Sequence, residues 1–161
     1  MTSPVHVAQD RLPPPPGPSD RSANLKAIKR RDTKPEKRVR SALHRDGLRF
    51  RVDYPLRVAG YDRLIRPDIV FSRARLAVFI DGCWWHGCPE HGVRETLRNE
   101  HYWRPKIELN QARDFRQTMA LKAAGWYVVR FWEHEDTAAV VSAVKSLLGL
   151  RYAATSSADV P

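Results

Sequence analysis

Only two of the 161 residues are cysteine, so no disulfide framework can hold this chain together. No apolar run approaches the roughly 20 residues that cross a bilayer, and no basic-then-apolar leader opens the sequence. The expectation from these absences is a reducing, bacterial-type cytosol with no membrane partner, where both thiols stay free to bind metal. Internal repeats are lacking too. Acidic residues are in the minority, 18 Asp and Glu against 28 Lys and Arg, for a net charge of +10. Between Arg21 and Arg51 stand twelve Lys or Arg and three acids, so the charge is concentrated early and fits a polyanion, nucleic acid by default.

Residues 1–19 contain Leu12 followed by four prolines, and lack both the apolar content and the backbone donors of a packed segment. They read as a disordered, Pro-rich tail. Residues 20–32 form a short basic arm whose Asn24, Lys26, Arg30 and Arg31 face a phosphate backbone on binding, with Leu25 able to wedge between bases or to staple the arm to the core. Thr33-Lys34-Pro35-Glu36 has the pattern of a capping box, so a helix runs to about Arg45 with Val39, Ala42 and Leu43 inward and Gly47 as its stop. Glu36 thereby has a structural duty that ranks above any metal role.

Period-two alternation predicts a strand over residues 48–54, and a second strand is expected over 64–71, entered through a proline that tolerates only its start or an edge. Residues 76–81 are almost wholly apolar, as in a strand covered on both faces at the centre of a sheet. Residues 92–104 read as loop. Ile107, Ala112, Phe115, Met119 and Leu121 suggest a helix over 105–124 packed on those side chains, followed by a strand over 126–132 and a closing helix over 137–148. The expectation is an α/β domain over residues 20–150, a central mixed sheet flanked by helices in three layers, with a disordered tail over 151–161.

The chemistry concentrates between Val78 and His91. Asp68 and Asp81 fall near the ends of strands joined by a short turn, where their carboxylates could share one magnesium ion, a hard cation that takes oxygen ligands and keeps several waters. Arg66-Pro67-Asp68, with an acid at the end of the next apolar strand, resembles the PD-(D/E)xK nuclease pattern. That pattern's lysine position holds Cys83, so another group must take the proton from water. His86 is suited to it, since an imidazole's ordinary pKa is about 6.5. Cys83-x4-Cys88-x2-His91, together with His134 beyond a later strand, offers four ligands for a structural zinc ion, with His86 or His101 as substitutes for one imidazole. Trp84 and Trp85 are adjacent, so an extended backbone cannot turn both into one core, and an exposed indole here would stack on or wedge between bases.

Taken together, Arg21-Ser22-x-Asn24-Leu25, Arg31-Asp32-Thr33-x-x-Glu36, Arg66-Pro67-Asp68, Phe79-x-x-Gly82-Cys83-x-Trp85-His86, Tyr102-Trp103-x-x-Lys106-Ile107 and Gly125-Trp126 through Trp132-Glu133 resemble the very short patch mismatch repair endonucleases, over about residues 21–135. The resemblance implies a restriction-endonuclease-like fold and a magnesium-dependent enzyme. Such an enzyme recognises a T:G mismatch left by deamination of 5-methylcytosine and nicks the strand 5′ to the thymine. It makes Asp68 the principal metal ligand, His86 the catalytic histidine and Cys83 a zinc ligand. The Ile80 backbone carbonyl would contact the catalytic metal, Glu36 would lie near the site, and Leu25, Trp84 and Trp85 would intercalate beside the mismatch. It also implies a nucleoid-associated monomer, functionally linked to a cytosine-5 methyltransferase and to mismatch-repair accessory proteins. Ile80-Asp81 stands where the family commonly has Thr-His, and His134 where it frequently has Cys. Two other readings compete, a restriction-type nuclease that cuts both strands and a catalytically inactive, zinc-stabilised DNA-binding module.

Overall fold

A computed structural model of the chain describes residues 31–91 and 100–157. Asn24, Leu25, Lys26 and Arg30, with the rest of the arm and the Pro-rich segment, lie outside the described residues, as do residues 158–161.

The first helix, α1 (Lys34–Arg45), starts where the capping residues stand, with Pro35 in its first turn. The capping box closes in an altered form. Glu36 Oε1 accepts from the Thr33 hydroxyl at 2.8 Å and its Oε2 from the Asp32 backbone N–H at 2.9 Å, so Thr33 spends its proton on Glu36 and makes no side-chain cap of its own. Val39 and Leu43 are buried as expected, and Gly47 leaves the helix at φ 79°, a left-handed value that costs glycine little.

Strand β1 (Arg51–Val52) is shorter than alternation suggests, because Asp53 adopts φ 49° and turns the chain out of the sheet. Strand β2 (Ile69–Phe71) is also short. Pro67 has no N–H to give a neighbouring strand, and the residues before it make only an isolated bridge, Leu56 with Ile65. Strand β3 (Leu76–Asp81) has the expected limits and lies inside the sheet, antiparallel to β2 and parallel to β4 (Tyr127–Trp132), in the order β1-β2-β3-β4. The chain is thus α/β with a mixed four-stranded sheet. Between β3 and β4 runs α2 (Glu100–Ala123), which takes in Pro105 near its start and the end of the stretch read as loop. The closing helix α3 (Thr137–Ser157) continues through Gly149 into residues 151–157, so that part of the C-terminal segment is helical rather than a disordered tail.

The sheet has a core on each side. Ile69, Phe71, Leu76, Val78 and Phe131 meet Val39 and Leu43 of α1 and Val140, Val144 and Leu148 of α3. Val70, Ala77 and Phe79 meet Leu56, Val58, Ile65 and Leu121, the last from α2. Each Leu, Ile or Val buried in this way contributes about 1.5–3 kcal/mol. The inward stripe expected for α2 needs correction. Ile107 and Leu121 turn in, whereas Ala112, Phe115 and Met119 are exposed. The inward positions between them carry Asn110 and Asp114, so polar side chains occupy the face turned to the end of β3.

Candidate active site

Parallel pairing sets the site. Phe79 lies opposite Arg130 and Asp81 opposite Trp132, so period two brings Phe79, Asp81, Arg130 and Trp132 to one face of the β3–β4 pair. Arg130 Nε donates to Asp81 Oδ2 at 2.7 Å and its Nη2 to Asp81 Oδ1 at 2.8 Å. The same guanidinium lies 4.4 Å from the centre of the Phe79 ring. Beyond Asp81 the chain turns sharply: the His86 N–H bonds the Gly82 carbonyl at 3.2 Å and the Cys88 N–H bonds the Cys83 carbonyl at 2.8 Å. Glu133 ties this turn to β4 by accepting the Cys83 N–H at 2.7 Å. Helix α2 supports the turn from behind, Asn110 Nδ2 donating to the Trp85 carbonyl at 2.9 Å and Gln111 Nε2 to the His86 carbonyl at 3.2 Å. Gly87 sits at φ 67°, and a Cβ there would come within 2.6 Å of the Gln111 amide and 2.8 Å of an Ile107 methyl, so only glycine lets helix and turn approach this closely.

His86 Nδ1 lies 2.5 Å from Asp114 Oδ2 and 3.7 Å from Asp81 Oδ1. Burial pulls the Asp114 carboxyl upward, but the His86 hydrogen bond and the charges of Arg130, His86 and Arg113 more than offset it and hold the group below the ordinary aspartate range. The cleft around this pair is about 240 Å³, lined by Asp81, His86, Gln111, Asp114, Arg130 and Trp132 among others. Asp114 had no motif to announce it. Its phase was legible, since Ile107, Asp114 and Leu121 recur every seven residues on one helix face, and an acid in an apolar row marks a polar task.

Asp68, half-buried just before β2, accepts the Ile80 backbone N–H at 2.7 Å. Burial pushes its carboxyl up to about 7. The negative charges of Glu36 and Asp81 add to the rise, while the Ile80 hydrogen bond and Arg40 oppose it. A half-buried acid among acids is a place that a cation would relieve. Asp81 is held differently from the expectation of two aspartates free to share one ion, because both of its oxygens are engaged by Arg130. Glu36 is buried and bonded to Asp32, Thr33 and Arg40, a structural knot whose charge reaches Asp68.

Cys83, Cys88, His91 and His134 present ligand atoms that all lie within 4.8 Å of one another. Cys83 Sγ is 3.0 Å from His134 Nδ1 and 3.8 Å from His91 Nδ1. Cys88 Sγ is 3.8 Å and 3.9 Å from the same two nitrogens. Zinc–sulfur and zinc–nitrogen bonds of ordinary length in a tetrahedron place such atoms about 3.6 Å apart, so the set fits one ion. Both thiols are buried and unbridged. Burial and the neighbouring Cys88 push the Cys83 thiol up to about 12, so without a metal it keeps its proton. His86, set against Asp114, stands apart from this cluster.

The Trp84 and Trp85 rings stack at 5.7 Å and 16°, and Trp103 of α2 meets them edge-on at 4.7 Å and 6.1 Å. Both are half-buried. Arg31 is exposed, where the basic arm joins the core, and donates to Asp53 Oδ2 at 2.8 Å.

Residues 16–91 match the profile of a family described as DNA mismatch endonuclease Vsr. The chain is 47% identical over 135 residues to the type II nicking enzyme V.NaeI of Lentzea aerocolonigenes, which covers 84% of this chain and 80% of that protein. It is 40% identical over 144 residues to the type II nicking enzyme V.XorIIP of Xanthomonas oryzae pv. oryzae, covering 86% and 96%. Over 113 residues it is 37% identical to the DNA mismatch endonuclease Vsr of Escherichia coli K12, covering 70% and 69%.

Proposed function

This chain belongs to the Vsr family of DNA endonucleases, and from that premise we propose that it nicks DNA 5′ to the thymine of a T:G mismatch left by deamination of 5-methylcytosine, with magnesium as its catalytic metal and zinc as a structural one. The chain is thus a phosphodiester hydrolase acting on DNA, in the class of mismatch repair nucleases. The observation that carries the finer reading is the His86–Asp114 pair beside Asp81 and Arg130.

With Asp114 accepting from Nδ1, the other imidazole nitrogen, Nε2, is left to receive a proton from the attacking water, and the ionised Asp114 stabilises the imidazolium that results. Asp68 would hold the magnesium ion together with the Ile80 backbone carbonyl, a set of oxygen donors that suits a hard cation, and Asp81 would join them only by giving up an arginine contact. Bound there, the ion supplies polarisation of water and offsets charge on the phosphate. Glu36 contributes its charge from within the α1 cap. Cys83, Cys88, His91 and His134 would hold zinc and clamp the turn after β3 to the end of β4, which fixes where His86 stands.

Trp84 and Trp85 would insert beside the mismatch, with Leu25 approaching from the arm and Asn24, Lys26, Arg30 and Arg31 on the phosphates. The partners are then double-stranded DNA, the methyltransferase whose product deaminates, and mismatch-repair accessory proteins. The enzyme acts as a monomer at the nucleoid. No described helix is long and apolar enough to cross a membrane. End-labelled duplexes with and without one T:G pair, incubated with magnesium, test this reading. A nick 5′ to the mismatched thymine is expected. Equal cleavage of the matched duplex, or none of either, would overturn it.

A further inference from the structure

On a strand that reads Tyr-Val-Val-Arg-Phe-Trp, Arg130 is the odd residue. Its side chain is largely covered, its Nη1 is buried with no hydrogen-bond partner among the described residues, and its plane lies over Phe79. Burying a guanidinium costs free energy that an apolar residue at this position would not incur. What the arginine does there is specific. Two of its nitrogens form a fork on Asp81, at 2.7 Å and 2.8 Å, and Nη2 also lies 3.4 Å from Asp114 Oδ1. One cation therefore joins the two carboxylates that flank His86 Nδ1, one from β3 and one from α2.

The geometry points to Arg130 as a positioning residue of the nicking reaction, holding Asp81 and Asp114 together so that the His86 imidazole is presented to the cleft in a single orientation. This inference rests on the proposed role of His86. Arg130 acts through the two aspartates, which would repel each other without a cation between them. A planar fork suits the task because it fixes direction as well as charge, which a lysine ammonium does not. The arrangement also accounts for Asp81, which serves here as the anchor of the fork. The PD-(D/E)xK pattern reserves a lysine two residues after Asp81, where this chain has Cys83. The positive charge next to the carboxylates comes instead from the neighbouring parallel strand, in register with Phe79.

The test compares wild type, Arg130→Gln, Arg130→Lys, Asp114→Asn and the Asp114→Asn/Arg130→Gln double variant on a T:G duplex, with thermal unfolding of each. Arg130→Gln should lower kcat on the order of 100-fold with KM for the duplex within about threefold, as expected when a catalytic group is misplaced by about 1 Å. Arg130→Lys should fall between it and wild type. Because both residues act through His86, the double variant should lose no more than the worse single variant. A kcat for Arg130→Gln within about threefold of wild type, a loss confined to KM, or fully multiplicative losses would overturn the inference. If Arg130→Gln does not fold, Arg130→Lys decides: a reduced kcat at wild-type melting temperature supports the role, and wild-type kcat removes it. A wild-type protein that leaves T:G duplexes intact refutes the proposed function instead, so the two failures are distinct.

Discussion

His86 and Asp114, 28 residues apart in the chain, meet at 2.5 Å between Nδ1 and Oδ2. The contact joins the turn after β3 to the inward face of α2, and an ionised carboxylate in that place favours a proton on Nδ1. Asp114→Asn keeps the shape but removes the negative charge that favours an Nδ1 proton. The expected result is a fall in kcat on the order of 10²–10⁴, with KM for the duplex nearly unchanged. Single-turnover nicking of a T:G duplex measures it, and a loss in KM alone would remove Asp114 from the proton pathway.

Asp68→Ala should abolish nicking and leave duplex affinity within about threefold, because the side chain is assigned to the metal and not to the DNA backbone. Electrophoretic mobility shift and nicking assays on the same duplex separate the two effects. Unaltered cleavage would reject the metal assignment.

The upward shift of Asp68 also makes a prediction about pH. Its carboxyl titrates near 7 in the folded protein against the usual 3.8, so between those values the folded state binds more protons than the unfolded state. Stability of the metal-free protein should therefore fall as pH rises from about 4 to about 7. Asp68→Asn should remove this component and stabilise the metal-free protein near pH 8 by an amount on the order of a few kcal/mol. Added magnesium should raise the wild-type melting temperature at neutral pH and leave that of Asp68→Asn nearly unchanged. Denaturant titrations at several pH values check the slope.

Zinc removal should act on stability first. Cys88→Ala, or chelation, is expected to lower the melting temperature by roughly 10 °C or more, since the four ligands join the turn after β3 to the segment after β4. Zinc uptake should also release protons, because the Cys83 thiol, pushed up to about 12, must ionise to bind. Calorimetry in buffers of different ionisation enthalpy reads that release. A fully stable, zinc-free protein would count against the tetrahedron.

Trp85→Ala should weaken discrimination between T:G and matched duplexes more than it weakens matched-duplex binding. Equal losses in both would make Trp85 a packing partner of Trp84 and Trp103 alone.

Much of this protein was determined by its sequence alone. The run from Leu76 to Asp81, the Thr33 cap and the Cys/His spacing are local patterns, and local patterns follow from backbone geometry and side-chain chemistry within a few residues. They were enough to place the central strand and the first helix, and to single out the four Cys and His side chains that meet in one cluster. Tertiary structure decided the rest. Whether Asp81 meets a metal ion or an arginine depends on the register of β3 against β4, which nothing near Asp81 records. That α2 turns Asn110 and Asp114 inward and leaves Phe115 and Met119 in solvent depends on what the turn over Gly87 needs from behind. Short β1 and β2 likewise follow from Asp53 and Pro67 acting on distant pairings. A hydrogen bond between residues far apart in the chain has no signature in either one, because only the packed sheet and helix bring them within reach.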